Sequence, residues 1–273
     1  MRHVSRVKKD NNQGIVLLSG GIDSAVTLYL AQKYGYKLHA LLFRYGQKHQ
    51  KETECAKQIA RINHVPYTIL DIKLPWSQSA LTSHQVKVPL DRDLKNKKIP
   101  STYVPARNLV FLGYAVSCAE SMGASAIFIG AHTLDYSGYP DCRPGFLSSF
   151  ERTANEAVHK KGIKIIAPLV DKNKKEIIEM GLSLGVPFEH TWSCYKGGAR
   201  PCGHCDSCRF RIEAFKRLGR TDPVMVHPAP GKSSAKQTSR SARKSGSGKK
   251  KSYWRKRKSS PQQTDESENS GIF

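Results

Sequence analysis

From residue 13 to about residue 222, short apolar runs alternate with amphipathic stretches, and the alternation predicts strand followed by helix several times over. Gly14-Ile15-Val16-Leu17-Leu18 is a continuous apolar run, the pattern of a strand buried on both faces. A helix is expected over 23–33, where Val26, Leu28, Leu30 and Ala31 are apolar, then a strand over 38–43. Cys55, Ile59 and Ile62 recur at helical spacing within 50–63, and a third strand follows over 67–72. Helices over 106–122, 146–160 and 174–184, with strands over 126–130 and 164–167, complete the series. Repeated β-α-β order implies an α/β fold, a doubly wound parallel sheet with helices on both faces and ligands at the C-terminal ends of its strands. Residues 73–104 lack strong periodicity, which is long for a plain connection and predicts a functional loop or lid.

Composition changes this picture at the two ends. Residues 1–12 are polar and basic and read as an extension. Residues 223–273 are rich in Ser, Lys, Arg, Gln, Gly and Pro, bury too little apolar surface to fold, and are expected to form a disordered basic tail. Between them, 13–190 is the expected catalytic domain and 191–222 a metal-binding segment with a closing helix. The formal charge is +23, and residues from Pro228 onward carry 12 Lys and Arg against 3 Asp and Glu. A basic body suits anionic ligands such as ATP, and nucleic acid equally. In the tail, Tyr253 and Trp254 lie among the cations of Lys249 to Lys258, a pattern suited to non-specific single-stranded nucleic-acid contact. No apolar run approaches the ~18 residues of a membrane span, and the first residues lack the apolar core of a secretory signal, so a cytoplasmic location is expected. Composition leaves the oligomeric state open, a homo-oligomer included.

Two local patterns carry chemistry. Ser19-Gly20-Gly21-Ile22-Asp23-Ser24 stands between the first strand and its helix. Its glycines permit a tight turn with free N–H groups, its serines add hydroxyl donors, and the helix N-terminus adds a positive dipole end, so the loop suits a phosphate. Asp23 would repel bare phosphate and is expected to face Mg²⁺ or to cap the helix. No Gly-Lys-[Ser/Thr] follows, so this is not a Walker loop. The second pattern is Cys194-x₇-Cys202-x₂-Cys205-x₂-Cys208. Four thiolates in one short segment close a tetrahedral shell, which points to structural Zn²⁺, with an iron–sulfur cluster as the rival. Cys55 and Cys118 fall on apolar helix faces and read as core residues; Cys142 has no evident base beside it and reads as a packed thiol.

The loop resembles the SGG-x-DS loop of the N-type ATP pyrophosphatases, or PP-loop enzymes, of the adenine nucleotide alpha hydrolase-like fold. That resemblance implies cleavage of ATP between the α and β phosphates, with adenylation of a substrate oxygen. Three further segments narrow it: Tyr45-Gly46-Gln47-Lys48-His49, Ile99 to Asn108, and Leu134 to Pro144, with Thr191-Trp192-Ser193-Cys194 behind them. Together they resemble the 7-cyano-7-deazaguanine synthases of queuosine biosynthesis over roughly residues 14–220. The resemblance implies an ATP-dependent ligase that converts 7-carboxy-7-deazaguanine and ammonia to the nitrile through an amide.

It further implies an ATP-binding stretch Leu18-Ser19-Gly20-Gly21-Ile22-Asp23-Ser24-Ala25-Val26-Thr27-Leu28, with Asp23, Ser24 and Arg143 in catalysis. Arg107, Asp135, Tyr139, Asp141 and Arg143 become candidates for the substrate, the arginines for carboxylate or phosphate and the aspartates for a guanine-like edge. Gln47 and His49 are candidates for ATP contact. The sequence departs from the family at Gly145, where an acidic residue is usual, and at His132-Thr133, where an Asn is usual. The competing readings are another PP-loop enzyme acting directly on tRNA, and a nucleic-acid-binding protein with a vestigial loop.

Overall fold

The structure, a computed structural model, describes residues 12–94, 98–133 and 139–226, all within the first of the chain's two units, Met1–Lys232. Among the described residues, five strands, β1 (Gln13–Leu17), β2 (Lys37–Arg44), β3 (Tyr67–Asp71), β4 (Ala126–Phe128) and β5 (Lys164–Ile166), form one sheet in the order β3-β2-β1-β4-β5. Every pairing is parallel. The helices are α1 (Ile22–Lys33), α2 (Lys51–Ile62), α3 (Arg107–Met122), α4 (Pro144–Ala157), α5 (Lys174–Ser183), α6 (Asp206–Arg217) and α7 (Pro223–Val226). Chain order runs outward from β1 to β3, then returns to the other side of β1 for β4 and β5. The carboxyl ends of β1 and β4 therefore flank a topological switch point, where open α/β sheets form their clefts.

Alternation along the strands divides the core by sheet face. Val16 and Leu18, with Ala40 and Leu42, join Leu28, Ile59, Ile177 and Phe215 on one face. Ile15 and Leu17, with Leu41 and Phe43, join Leu112, Leu147 and Ile163 on the other. A strand of uninterrupted apolar residues is thus explained by two cores, one for each parity of its side chains.

Two expectations are refined by the structure. The described residues of 73–104 are tied to the rest of the fold at several points. Lys48 Nζ donates to Val86 O at 2.7 Å, and Ala80 N to Ser101 O at 2.7 Å. Farther on, Leu90 bridges Cys205, and Arg92 pairs with the buried carboxylate of Asp206 at 2.8 Å. The tail also starts later than composition places it, because Pro223–Val226 are helical and Val224 is buried. The short apolar run Val224-Met225-Val226 is a signal that the polar composition of the stretch as a whole conceals. The run Lys249 to Lys258 lies outside the described residues.

Candidate active site

The phosphate loop leaves β1 and turns into α1 through Gly20 at φ +85°. A Cβ on Gly20 would lie 2.1 Å from the backbone oxygen of Glu52 and 2.6 Å from Ala56 N, so the loop lies against the first turns of α2. Gly130, just past β4, approaches the other side, where a Cβ would stand 2.9 Å from Ser24 N. The hydroxyls of Ser19 and Ser24 are 3.0 Å apart, Ser19 N donates to Ser24 Oγ at 3.2 Å, and Ser24 Oγ donates to Gly21 O at 3.1 Å. Gly21 caps α1 without a side-chain bond, so the first turn of the helix keeps free N–H groups toward the cleft.

Asp23 does not cap the helix. Its carboxylate pairs with Lys174 Nζ at 2.6 Å and approaches His132 Nε2 at 3.5 Å, and the lysine and histidine stand 3.2 Å apart. Burial alone would raise the Asp23 carboxyl, but Lys174 and His132 outweigh it and hold the group well below the usual carboxylate range. Lys174 opens α5, whose N-cap is the reciprocal pair Asn173–Glu176. A buried cation in a helix's first turn opposes the helix dipole, so its position is held by Asp23 rather than by local preference.

Asp23, Lys174 and His132 line one end of a cavity of about 260 Å³ that opens at the switch point. Glu52, Arg107, Asn108, Tyr45 and Tyr139 line it as well, with Trp192 and Arg211. Arg107 Nη1 donates to Tyr45 Oη at 2.9 Å. Burial opposes the Arg107 charge, but Tyr45, Tyr139 and Glu52 more than restore it. Burial pushes the Glu52 carboxyl up to about 7, with Arg107 acting against the rise. The Tyr139 ring lies 5.2 Å from that of Tyr103, and its hydroxyl is 3.3 Å from Thr102 Oγ1.

The residues proposed from sequence therefore separate. Ser19, Gly21, Ile22, Asp23, Ser24, Arg107 and Tyr139 line the cavity, as do Gln47 and His49. Asp141 is buried elsewhere: its Oδ2 accepts the backbone N–H of Asn108 at 2.9 Å. That bond serves the start of α3, whose N-cap Ala106 is left-handed at φ 51° and offers no side-chain acceptor. Arg143 is exposed at the N-cap of α4 and does not line the cavity. Asp135 lies outside the described residues. Gly145 has open space around it, and His132 is the neighbour of Lys174 just described. Cys142 does line the cavity, but burial, helped by Asp141, pushes its thiol up to about 12, which removes it as a nucleophile at neutral pH.

Glu52, Lys174, Asn108 and Arg211 were not singled out in the sequence. For Lys174 a signal existed: a basic cluster, Lys172-Asn173-Lys174-Lys175, at the very start of a helix. Arg211 had none. Its guanidinium meets Asp222 through two bonds at 2.7 and 2.9 Å, Thr191 Oγ1 at 2.7 Å and Phe188 O at 3.0 Å, and both charged side chains are 3% exposed. It fixes the strip 188–193, from which Trp192 N donates to Gly20 O at 2.9 Å.

Behind that strip, the sulfurs of Cys194, Cys202, Cys205 and Cys208 all lie within 4.8 Å of one another. The N–H groups of Cys202 and Cys205 donate to Cys194 Sγ and Cys202 Sγ, each at 3.3 Å. Hydrogen bonds from the Cys205 and Cys208 thiols, with backbone N–H groups behind them, hold the Cys194 thiol far below its usual range, and the same pairing pushes Cys205 and Cys208 up. Four sulfurs that close, mostly buried and met by N–H donors, form a cluster that can bind a metal ion.

Comparison with known proteins agrees with this arrangement. The family model for queuosine biosynthesis protein QueC matches residues 13–219. The chain is 48% identical over 219 residues to the 7-cyano-7-deazaguanine synthase of Clostridium kluyveri, covering 78% of this chain and 96% of that protein. It is 46% identical over 221 residues to that of Trichodesmium erythraeum, covering 78% and 100%. It is 45% identical over 227 residues to that of Thermoplasma acidophilum, covering 81% and 94%. Among the described residues, no helix is long and apolar enough to cross a membrane. The chain belongs to the QueC family of queuosine biosynthesis proteins.

Proposed function

We propose that this chain is an ATP-dependent ligase that converts 7-carboxy-7-deazaguanine and ammonia to 7-cyano-7-deazaguanine through an adenylate and an amide. The observation that carries the reading is the phosphate loop opening into the same cavity as Arg107 and Glu52, within a chain that covers nearly the whole of the synthases it matches. The alternative, action directly on tRNA, is not favoured by those relatives.

A carboxylate is a poor electrophile, and adenylation gives its carbon a leaving group. The Ser19 to Ser24 loop and the N-terminus of α1 hold the nucleotide's phosphates through N–H and hydroxyl donors. Lys174 adds a cation beside the loop and so supplies the charge that a Walker lysine would. Its bond to Asp23 keeps it aimed. Magnesium is usually held by one or two carboxylates and the nucleotide's own oxygens, and Asp23 is the carboxylate suited to it here. Bound Mg²⁺ would neutralise charge on the departing pyrophosphate. Arg107, fixed by Tyr45, receives the substrate carboxylate, and Tyr139 offers a ring to the base. One loop serves both rounds, adenylating first the acid and then the amide oxygen. Zinc fits the four cysteines as a closed structural site, with no open position for substrate.

Incubation with ATP, ammonium and 7-carboxy-7-deazaguanine should yield the nitrile, AMP and pyrophosphate by mass spectrometry. The synthetic amide should give nitrile with ATP in the absence of ammonium. Release of ADP instead of AMP, or an inert amide beside a reactive acid, would overturn the mechanism.

A further inference from the structure

Adenylation makes the carbon electrophilic but does not supply the nucleophile. Ammonia is mostly protonated at neutral pH, and ammonium has no lone pair with which to attack. A site that uses free ammonia needs a group near the reacting carbon that receives the cation and removes a proton.

Among the described residues, two carboxylates line the cavity, Asp23 and Glu52. Asp23 is already engaged by Lys174 and His132. The Glu52 carboxylate has no hydrogen bond or ion pair among the described residues, although it lies in a cleft that disfavours a bare charge. Its place is fixed by packing. Glu52 is in the first turn of α2, and its backbone oxygen lies directly over Gly20 of the phosphate loop. Its side chain lines the same cavity as Ser19, Asp23 and Ser24 of the phosphate loop, where adenylation would take place. The charged and titratable groups around it are Arg107 from α3, Tyr45 after β2, Cys194 from the cysteine segment, and Lys51 and Glu54 on its own helix. Arg107 keeps some negative charge on Glu52 while remaining free to face the substrate carboxylate.

We propose that Glu52 is the ammonium-binding residue and proton acceptor of this site, an inference that rests on the synthase activity proposed above. In the first round ammonium gives one proton to the Glu52 carboxylate, and the freed lone pair attacks the carbonyl carbon of the acyl-adenylate. The C–O bond to AMP breaks, AMP leaves with the electron pair, and the nitrogen passes a second proton to water to become the neutral amide. Glu52 returns its proton to water before the second round, in which the amide oxygen attacks the α-phosphorus and pyrophosphate leaves while the same nitrogen loses a proton to Glu52. AMP then departs with the C–O electron pair as the last N–H proton passes to water, and the nitrile closes. A carboxyl near neutrality, where burial has pushed Glu52, is suited to taking and returning these protons.

The test separates the nucleophile from the adenylation. In Glu52→Gln, exchange of labelled pyrophosphate into ATP, driven by the acid without ammonium, should stay within about threefold of wild type. Turnover of acid and ammonium should fall by about 10²-fold or more, the scale of a lost general base. Hydroxylamine is uncharged near neutral pH and needs no proton removed before attack, so hydroxamate formation by Glu52→Gln should be retained. Glu54→Gln, on the exposed side of the same helix, should match wild type in all three assays. Equal losses with ammonium and hydroxylamine would overturn the proposal. So would loss of exchange, which would assign Glu52 to ATP or its metal, or a rise in KM for the deazapurine alone, which would assign it to the base edge. If Glu52→Gln does not fold, Glu52→Asp keeps the acid while withdrawing it from the site. It should raise KM for ammonium and leave hydroxylamine turnover unchanged, and the opposite pattern counts against the proposal. A wild-type enzyme without acid-dependent exchange would overturn the synthase reading itself, and this inference with it.

Discussion

The two walls of the cavity are built in different ways. One wall is the phosphate loop, Ser19 to Ser24, which runs from just after β1 into the first turn of α1 and whose conformation follows from two glycines and a helix start. The rest of the lining comes from separate places in the chain, among them Tyr45, Glu52, Arg107, Tyr139 and the strip 188–193. The first wall is a local structure that packing only has to hold. The second exists only because packing brings its parts together. Its strip 188–193 depends on Arg211, and α6, which carries Arg211, begins inside the cysteine cluster at Cys205. The difference teaches where a mutation's effect should travel: little from the loop outward, and far from the cysteine segment inward.

The largest expected effect tests that inward path. Cys205→Ser removes one of the four sulfurs that can bind a metal ion, and because metal-binding energy at such a site is folding energy, metal content and melting temperature should both drop. Nucleotide-dependent activity should fall with them, although no cysteine of the cluster lines the cavity. Full metal content in the variant, measured by elemental analysis, would remove Cys205 from the site. Arg211→Met comes next: leaving the Asp222 carboxylate buried and unpaired should cost about 3–5 kcal/mol in a denaturant titration. Replacing both partners with apolar residues should recover much of that stability but not the strip's hold on Gly20, so KM for ATP should stay raised.

Asp23→Ala acts on the loop wall alone. It should lower turnover by about 10²-fold, the scale of a lost charge-orienting group, while the metal content of the cysteine cluster stays at the wild-type level. A loss of bound metal there would erase the contrast between the walls. The pH dependence of folding gives a smaller, directional test. The Asp23 carboxyl is held down in the folded state, so its stabilisation is present above the ordinary carboxylate range near ~4 and is lost as pH falls through that range toward its depressed value. Asp23→Asn should therefore lower stability at neutral pH and flatten the acid limb, so that its curve converges with that of the wild type at low pH. The smallest effect belongs to the C-terminal segment. Every described residue that lines the cavity precedes it, so truncation after His227 should leave turnover of free substrate within about twofold.

Much of this was legible before any packing was known. The β1 run, the glycine turn after it and the paired Cys-x₂-Cys steps each lie within a few residues and carry their physical reason with them. The substrate side was less legible. Asp141 and Arg143 are polar residues in a segment that resembles a substrate loop, yet the first is buried beneath the start of α3 and the second is exposed. Arg107 and Tyr139, drawn from the same two segments, do reach the cavity. Proximity in sequence to a motif does not say which way a side chain faces when the backbone turns through a 3-10 segment such as Pro140–Cys142.

The sequence by itself determined the strand and helix series, the parallel sheet, the glycine turn after β1 and the spacing of the four clustered cysteines, because each depends on spacing within one element or one turn. Only the tertiary structure decided that Lys174 would meet Asp23 across 151 positions, that Glu52 would overhang Gly20, and that Arg211 would link the cysteine segment to the loop. Those contacts join residues with no local reason to be polar where they are. They are set by the order in which the strands are laid down, which places the ends of β1 and β4 side by side and brings α2, α5 and α6 to the same cleft.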